Sequence, residues 1–190
     1  MICCFKGKFR VTSPRGNRIL YGKQDYHKGI DLVGVDDTTV YSICDGTVRT
    51  AYQAGGAGYY IVVTMADGRR VFYMHLKKGS IKVKNGDKVT TGQALGVMGA
   101  TGAVTGAHTH LELRPKGTTA DSLDIIQFTG ITNKVGIYEY KPAKANTLLE
   151  DIKVLEKAGI INTPDYWKNN AHKLDYVDTL IHKMAEYVKR

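Results

Sequence analysis

The sequence has few cysteines, and this scarcity excludes several kinds of small protein. Its 190 residues contain three: Cys3, Cys4 and Cys44. The number is odd and two of the three are adjacent, so a disulfide framework is excluded. No C-x-x-C pair is present to suggest a structural zinc knuckle. We therefore expect three reduced thiols in a chain made in a cytosol.

Long apolar runs are also missing. No stretch approaches the roughly 18 apolar residues of a membrane-spanning helix, so we expect no membrane span. The first residues, MICCFKGKFR, lack the apolar core of a secretory signal peptide. We expect a protein that is made in the cytosol without such a signal and that reaches any target beyond the membrane by another route.

The sequence has few acidic residues: it contains 18 of them and 27 lysines and arginines, which gives a formal net charge of +9. This excess favours anionic partners such as nucleic acid, anionic lipid or a phosphate-rich wall polymer. The basic residues are spread along the chain, with neither an aromatic-interleaved stripe nor a recognition motif. Nucleic acid is therefore not expected, and an anionic wall polymer remains a candidate partner.

Glycine, by contrast, is abundant, and it separates short runs of β-branched and aromatic residues between residues 9 and 113. Ala66-Asp67-Gly68 and Asn85-Gly86-Asp87 are typical of hairpin turns. The pattern predicts a mainly β protein with an antiparallel sheet or sandwich. The predicted strands are Thr39–Ile43, Gly46–Ala51, Tyr59–Thr64, Arg70–His75 and Lys88–Val97.

The last third of the chain has a different pattern. Residues 131–146, which include EYKPAKAN, are typical of a linker. From Thr147 the apolar period becomes helical, with a capping box at Thr147 and Glu150 and a C-terminal stop at Gly159. We predict a domain over residues 1–130, a linker over 131–146 and a small helical module over 147–190. Docking on the β domain, dimerisation and target binding remain open for this module.

The stretch GAHTHLEL, residues 106–113, raises a chemical question. On a strand, His108, His110 and Glu112 share one face, while Leu111 and Leu113 share the other. Leucines that face a core leave the two histidines facing something else. An H-x-H pair on a strand is one arrangement that presents imidazoles to a metal ion.

A second short motif, HKGID, offers a carboxylate. The spacing of His27 and Asp31 puts both on one side of a strand or a helix. Together the two motifs can supply two imidazoles and one carboxylate, which suits a catalytic zinc ion with its fourth position left for water. The histidines that are not ligands, among them His75 in VFYMHL, can serve as a general base or steady an oxyanion.

The chain contains the motifs HKGID, YMHL and TGAVTGAHTHLELR, with VKNGDKVTTGQALGVMG between the last two. Together these motifs resemble the M23 peptidase family, the lysostaphin- and LytM-like peptidoglycan endopeptidases. The resemblance runs from about Phe9 to Phe128. It implies an antiparallel β fold with one zinc ion in a groove. The ligands it implies are His27, Asp31 and His110, and the catalytic histidines are His75 and His108. Some members use a tyrosine six residues before the first ligand, where Tyr21 stands, with Tyr26 as the fallback.

The resemblance implies zinc-dependent hydrolysis of peptide bonds in bacterial peptidoglycan. The tail is similar to helical modules appended to lytic enzymes of phages, which wait in the cytosol until a holin releases them. One alternative is a non-catalytic domain of the same fold that binds the wall and activates another hydrolase. A biotinyl or lipoyl carrier domain is a second, but it needs a Met-Lys pair on a hairpin tip, and the β region has none.

Overall fold

The computed structural model describes residues 1–20, 22–117, 121–141 and 148–161, together with residues 181, 184, 185 and 188. The chain divides into two compact units, Met1–Pro142 and Ala143–Arg190. Within the described ranges, no helix is long and apolar enough to cross a membrane.

The first unit is built from short strands and one short helix. In chain order they are β1 (Gly7–Ser13), β2 (Gly16–Leu20), β3 (Lys23–His27), β4 (Ile30–Gly34), β5 (Thr39–Tyr41), β6 (Gly46–Gln53), β7 (Gly58–Thr64), β8 (Arg70–Leu76), β9 (Lys88–Val89), β10 (Ala94–Val97), β11 (Thr109–Arg114), α1 (Ile125–Thr129) and β12 (Gly136–Tyr140).

Eight of these strands form one sheet in the order β12-β1-β4-β11-β8-β7-β6-β9, and every pair in it is antiparallel. Alternate residues of each strand face the core: Phe9 and Val11 on β1, and Leu111 and Leu113 on β11, are buried. On β1 and β11 the opposite face carries polar side chains, whereas on β7 and β8 it carries a second buried cluster that includes Val62, Phe72 and Met74. The mainly β, antiparallel fold predicted from the sequence is confirmed.

Two small sheets complete the unit. β5 pairs with β10, and Val40 and Leu95 from this pair are buried in the main core. β2 and β3 form a separate hairpin. This hairpin supports one of the candidate ligands, because His27 is its last residue.

The predicted strands agree with the structure except at Lys88–Val97. That run is two strands, since Gly92 adopts φ +84 between them; β9 joins the large sheet and β10 pairs with β5. The turn at residues 66–68 joins the paired strands β7 and β8, as expected. The turn at residues 85–87 also forms, with Gly86 at φ +90, but it leads into β9 without joining two paired strands.

The linker predicted for residues 131–146 is corrected in part. Gly136–Tyr140 is β12, which pairs with β1 in five-residue register. Tyr138 and Tyr140 pack against the main core, while Ile137 is exposed. Residues 136–140 do have the two-residue apolar period of a strand. The strand is short, however, and its lysine- and proline-containing neighbours are typical of a linker, so the period was not recognised. The first compact unit accordingly extends to Pro142 rather than ending at residue 130.

The helix α1 was not predicted, although both of its ends carry ordinary capping residues. Asp124 accepts hydrogen bonds from the backbone N–H groups of Ile126 and Gln127, and Gly130 closes the C-terminus at φ +68. The helix has only five residues, so no apolar periodicity could develop.

The described part of the second unit begins with α2 (Leu148–Lys157). Gly159 adopts φ +70 after the helix, and the N–H of Ile160 donates to the Leu155 carbonyl at 2.9 Å. The predicted C-terminal stop is therefore confirmed as a Schellman motif. Ile152 and Leu155 pack with Ile181 and Ala185. Thr147, in the predicted capping box, lies outside the described residues.

Candidate metal centre

Asp31 and His110 are direct neighbours across two paired strands of the large sheet. The register of β4 and β11 sets His110 opposite Asp31, so both side chains project from the same face. Leu32 and Leu111, each one residue further on, point to the other face and are fully buried. The alternation that predicted the exposed H-x-H face therefore also brings a carboxylate beside it.

His27 reaches the same point from the β2–β3 hairpin. The sequence spacing predicted that His27 and Asp31 share one side of a single strand or helix; instead, the motif spans a corner between two sheets. Gly29 permits this corner. A Cβ atom there would lie 2.6 Å from His110 Nε2 and 2.4 Å from the carbonyl oxygen of Leu111.

The three donor atoms are close enough to share one cation. His27 Nε2 lies 3.0 Å from His110 Nδ1 and 3.2 Å from Asp31 Oδ1, and His110 Nδ1 lies 2.8 Å from Asp31 Oδ1. In a tetrahedral zinc site with bonds near 2.0–2.1 Å, neighbouring ligand atoms are about 3.3 Å apart. The donor set and its spacing therefore fit a zinc ion held by His27, Asp31 and His110.

Contacts outside the centre fix which ring nitrogen of each ligand faces it. His27 Nδ1 lies 2.7 Å from the carbonyl oxygen of Pro14. A carbonyl can only accept, so Nδ1 carries the proton and Nε2 keeps the lone pair. In His110 the two ring nitrogens have the opposite roles to those in His27. Its Nε2 points outward and lies 3.5 Å from Glu112 Oε2, while its Nδ1 points to the centre and faces Asp31.

The local charges favour a cation. Burial opposes ionisation of Asp31, but its close contacts with the imidazoles of His110 and His27 hold the pKa of this carboxyl well below its usual value. Burial likewise opposes a charge on His110, yet hydrogen bonds to Asp31 and Glu112 raise the pKa of its imidazole. The pocket thus stabilises positive charge at the point where the three donors converge.

His75 stands beside this centre in a strained conformation. It lies on β8 with φ +65, in the left-handed region that residues with a side chain rarely adopt. Its Nδ1 lies 2.9 Å from the carbonyl oxygen of Thr101. Burial lowers the pKa of this imidazole to about 4, so the ring is neutral at neutral pH.

His108 completes the group from the loop before β11. Its backbone N–H donates to the Gly99 carbonyl at 3.0 Å, and its Nδ1 lies 2.9 Å from the Gly106 carbonyl oxygen. Its Nε2 is 3.6 Å from Asp31 Oδ1, and its ring centroid is 4.9 Å from that of His75. All five predicted side chains for which the structure describes a position, four imidazoles and one carboxylate, therefore meet at one place.

These side chains open on a groove with a volume of about 1110 Å³. Its lining also includes Arg18, Ile19 and Leu20 from the β2–β3 hairpin and residues 102–107 from the loop before β11. The candidate metal centre and both further imidazoles therefore share one groove with these two segments.

The tyrosine that the family resemblance implies is Tyr21, with Tyr26 as the fallback. Tyr21 lies outside the described residues. The fallback, Tyr26, precedes His27 on β3, so the pleat turns its side chain to the opposite face of the hairpin. Tyr26 is 48% exposed and its hydroxyl pairs with Arg15.

Two charged residues of the site were not assigned a role from sequence. Arg18 donates to Asp25 at 2.6 Å and to the Ser13 hydroxyl at 3.0 Å, and its Nη1 is 3.9 Å from Asp31 Oδ2. Glu112 shared the predicted face of His108 and His110 and lies beside the second of them. The pattern located Glu112 but gave no reason to connect it with the metal.

Comparison with known proteins identifies a family that matches the part of the chain holding this site. The profile of peptidase family M23 matches residues 25–122, a range that includes all five side chains. Over 119 residues the chain is 35% identical to the peptidoglycan DD-endopeptidase ShyA of Vibrio cholerae, a match that covers 61% of this chain and 27% of that protein. The chain spans about a quarter of the length of the curated relatives it matches.

Solved structures show the same fold. The catalytic domain of the antimicrobial peptidase lysostaphin from Staphylococcus simulans is 27% identical with a TM-score of 0.55, covering 64% of this chain and 92% of that one. The catalytic domain of the prophage-encoded M23 protein EnpA from Enterococcus faecalis is 34% identical with a TM-score of 0.53, covering 60% of this chain and 87% of that one.

Proposed function

The chain belongs to peptidase family M23, and we propose from this membership that it is a zinc-dependent endopeptidase that hydrolyses peptide bonds in the stem peptides or cross-bridges of peptidoglycan. One observation carries the proposal: a donor set that fits zinc lies in a groove beside two further imidazoles. The names of the relatives, a peptidoglycan endopeptidase and an antimicrobial peptidase, support the choice of substrate.

His27 Nε2, Asp31 Oδ1 and His110 Nδ1 would hold the zinc ion. A zinc ion with three such ligands lowers the pKa of a bound water and polarises a carbonyl oxygen. The chain's own part in the reaction is to orient the scissile peptide in the groove and to move the protons.

We assign to His75 the role of accepting the proton of the attacking water. Its Nδ1–H donates to the Thr101 carbonyl, which leaves the lone pair on Nε2. The low pKa that burial imposes keeps Nε2 unprotonated at neutral pH.

We assign to His108 the stabilisation of the oxyanion or the protonation of the leaving amine. Its Nδ1–H is held by the Gly106 carbonyl, so Nε2 is the atom that faces the groove near Asp31. In the imidazolium form, this Nε2–H donates a hydrogen bond to the oxyanion or passes its proton to the leaving amine. Tyr21 is assigned the same oxyanion as a second donor.

We also propose that the protein is a phage or prophage lysin that acts on the bacterial wall after holin-dependent release. The likeness to the prophage-encoded EnpA supports this role. The unit Ala143–Arg190 is compact in its own right, and we assign it to wall binding, docking or dimerisation. The net charge of +9 would favour an anionic wall polymer as a further partner.

Mass spectrometry of the fragments released from purified peptidoglycan tests the proposal. Walls with direct cross-links and walls with glycine cross-bridges are digested by the wild type and by His110→Ala. We expect new peptide termini from at least one wall with the wild type alone. Zinc binding without any new terminus would contradict the endopeptidase and favour the non-catalytic, wall-binding alternative.

A further inference from the structure

His110 is connected to the rest of the protein differently from the other three imidazoles. The ring nitrogens of His27, His75 and His108 that point away from the centre each face a backbone carbonyl. The outward nitrogen of His110 instead faces a side-chain carboxylate, with Nε2 at 3.5 Å from Glu112 Oε2. An imidazole whose outer N–H meets a carboxylate is a more basic metal ligand than one bound to a neutral carbonyl.

Glu112 itself is buried and firmly held. Only 2% of the surface of Glu112 is exposed to solvent. Arg114 forms a two-pronged ion pair with it, Nε to Oε1 at 2.9 Å and Nη2 to Oε2 at 3.0 Å. The guanidinium group of Arg114 lies over the Phe72 ring, 4.1 Å from its centroid. Phe72 is the cross-strand partner of Glu112 and is 5% exposed.

This arrangement has a cost that calls for an explanation. A buried ion pair is often no more stabilising than an apolar pair of the same size, because both charges must lose their water. Leu111 and Leu113 alternate with Glu112 along the same strand and fill the core. The carboxylate is therefore placed on the face that carries His110, where it is close to a ligand.

We propose that Glu112 is a positioning residue of the metal centre: it accepts the Nε2–H of His110, fixes Nδ1 as the donor atom and raises the affinity for zinc, while Arg114 holds Glu112 in place. This inference rests on the proposed zinc site and deepens it. Arg114 also cancels the charge of Glu112, so the centre keeps the net positive charge that zinc contributes beyond Asp31.

The affinity for zinc itself tests the proposal. Zinc dissociation constants are measured by competition with a chromophoric chelator for the wild type, Glu112→Gln and Glu112→Ala. We expect zinc binding about 10- to 100-fold weaker in Glu112→Ala, with a smaller loss in Glu112→Gln, whose amide oxygen can still accept from Nε2. Glu139→Gln, which removes an exposed carboxylate paired with Lys141, is the matched control and should bind as the wild type does.

A purely structural role must be separated from positioning. Thermal unfolding of the metal-free proteins reports stability, and the visible spectrum of the cobalt-substituted proteins reports coordination. We expect Glu112→Gln to stay folded without metal, with a melting temperature lowered by the lost charge pair with Arg114, and to change the cobalt spectrum, which a loss of stability alone would leave unchanged. If Glu112→Ala does not fold, the pair Glu112→Leu with Arg114→Met removes both charges together and is measured in its place.

Wild-type zinc affinity and an unchanged cobalt spectrum in the folded Glu112 variants would overturn the inference. That outcome is distinct from failure of the proposed function. If the wild type binds zinc but releases no peptide from peptidoglycan, the proposed function fails, and the effect of Glu112 on affinity is still decided by the titrations.

Discussion

The imidazole Nδ1 of His75 lies 2.9 Å from the carbonyl oxygen of Thr101. The hydroxyl of Thr101 in turn donates to the Leu76 carbonyl at 2.7 Å and accepts from the Tyr59 N–H at 3.0 Å. The loop after β10 therefore sets the tautomer of the candidate base, while β8 supplies the ring. The strained backbone of His75 belongs to β8, and the contact with Thr101 fixes its side chain against the loop after β10.

Substitution of His75 should separate catalysis from metal binding. We expect His75→Ala to lower kcat on peptidoglycan by about 10²- to 10⁴-fold, because its Nε2 is the proposed proton acceptor. The zinc content of the purified variant should stay at one ion per chain. Turbidity loss of wall suspensions and metal analysis of the same sample provide the two measurements, and activity within about threefold of the wild type would contradict the assignment.

The two histidines of the H-x-H pair should behave differently although they are only two residues apart. His110→Ala should lose both zinc and activity, because a donor atom is removed from the centre. His108→Ala should keep zinc and lose activity. Metal analysis after dialysis, paired with wall lysis, distinguishes the two variants. A zinc-loaded His108→Ala that retained most of its activity would remove His108 from the mechanism.

Removal of the metal should be reversible. Prolonged treatment with a strong chelator should abolish peptide release, and stoichiometric zinc should restore it, because the donor set fits this ion. Addition of magnesium should not restore it, since magnesium prefers six oxygen ligands. Full activity in a preparation shown to be metal-free would rule out the zinc mechanism.

The corner at Gly29 should tolerate no side chain. In Gly29→Ala the added Cβ would meet both His110 and the backbone of β11. We expect a loss of about 1–3 kcal/mol in the free energy of unfolding, together with weaker zinc binding. Gly106→Ala is the control, because a Cβ there would meet nothing within 4 Å. Chemical denaturation and zinc titration of both variants test this, and equal behaviour would show that the corner can relax.

A carboxylate outside the groove should contribute to the pH dependence of stability. Burial raises the pKa of Asp37, but hydrogen bonds from the Thr39 N–H and the Tyr41 hydroxyl outweigh it and leave this pKa lowered. A lowered pKa means that the contribution is present above the unfolded-state pKa and is lost as the pH falls through the folded-state value.

We therefore expect Asp37→Asn to lower the free energy of unfolding by less than about 1 kcal/mol at pH 7, because solvent screens this partly exposed carboxylate and the asparagine oxygen can still accept one hydrogen bond. The difference from the wild type should shrink as the pH falls below about 4. Urea unfolding at several pH values measures it, with the exposed Asp121→Asn as the control. A difference that stayed constant down to pH 2.5 would show that the charge of Asp37 contributes nothing.

Much of the site could be predicted because the relevant pattern is local. A two-residue period on β11 places Leu111 in the core and His110 on the other face without any knowledge of the rest of the chain. The strands β6, β7 and β8 were predictable for the same reason. The convergence of His27, Asp31 and His110 was implied by the resemblance to a family, since single-sequence periodicity cannot say which strands become neighbours.

The remainder depends on tertiary contacts that leave no local pattern. The H-x-x-x-D motif spans a corner because Gly29 passes against β11, and neither strand of the corner carries that information. The role inferred for Glu112 depends on Arg114 and on the ring of Phe72, which lies on another strand forty positions earlier in the sequence. The short elements α1 and β12 were missed because five residues are too few for a period to stand out.

The position of β12 bears on how the first compact unit, Met1–Pro142, can be prepared by itself. A polypeptide cut after residue 130 would lose the outermost strand and leave β1 with an open row of backbone N–H and C=O groups. Such a row is a template for another chain, so the shortened protein would tend to self-associate and precipitate. A polypeptide that runs through residue 141 retains β12, so the backbone groups of β1 on that side stay hydrogen-bonded.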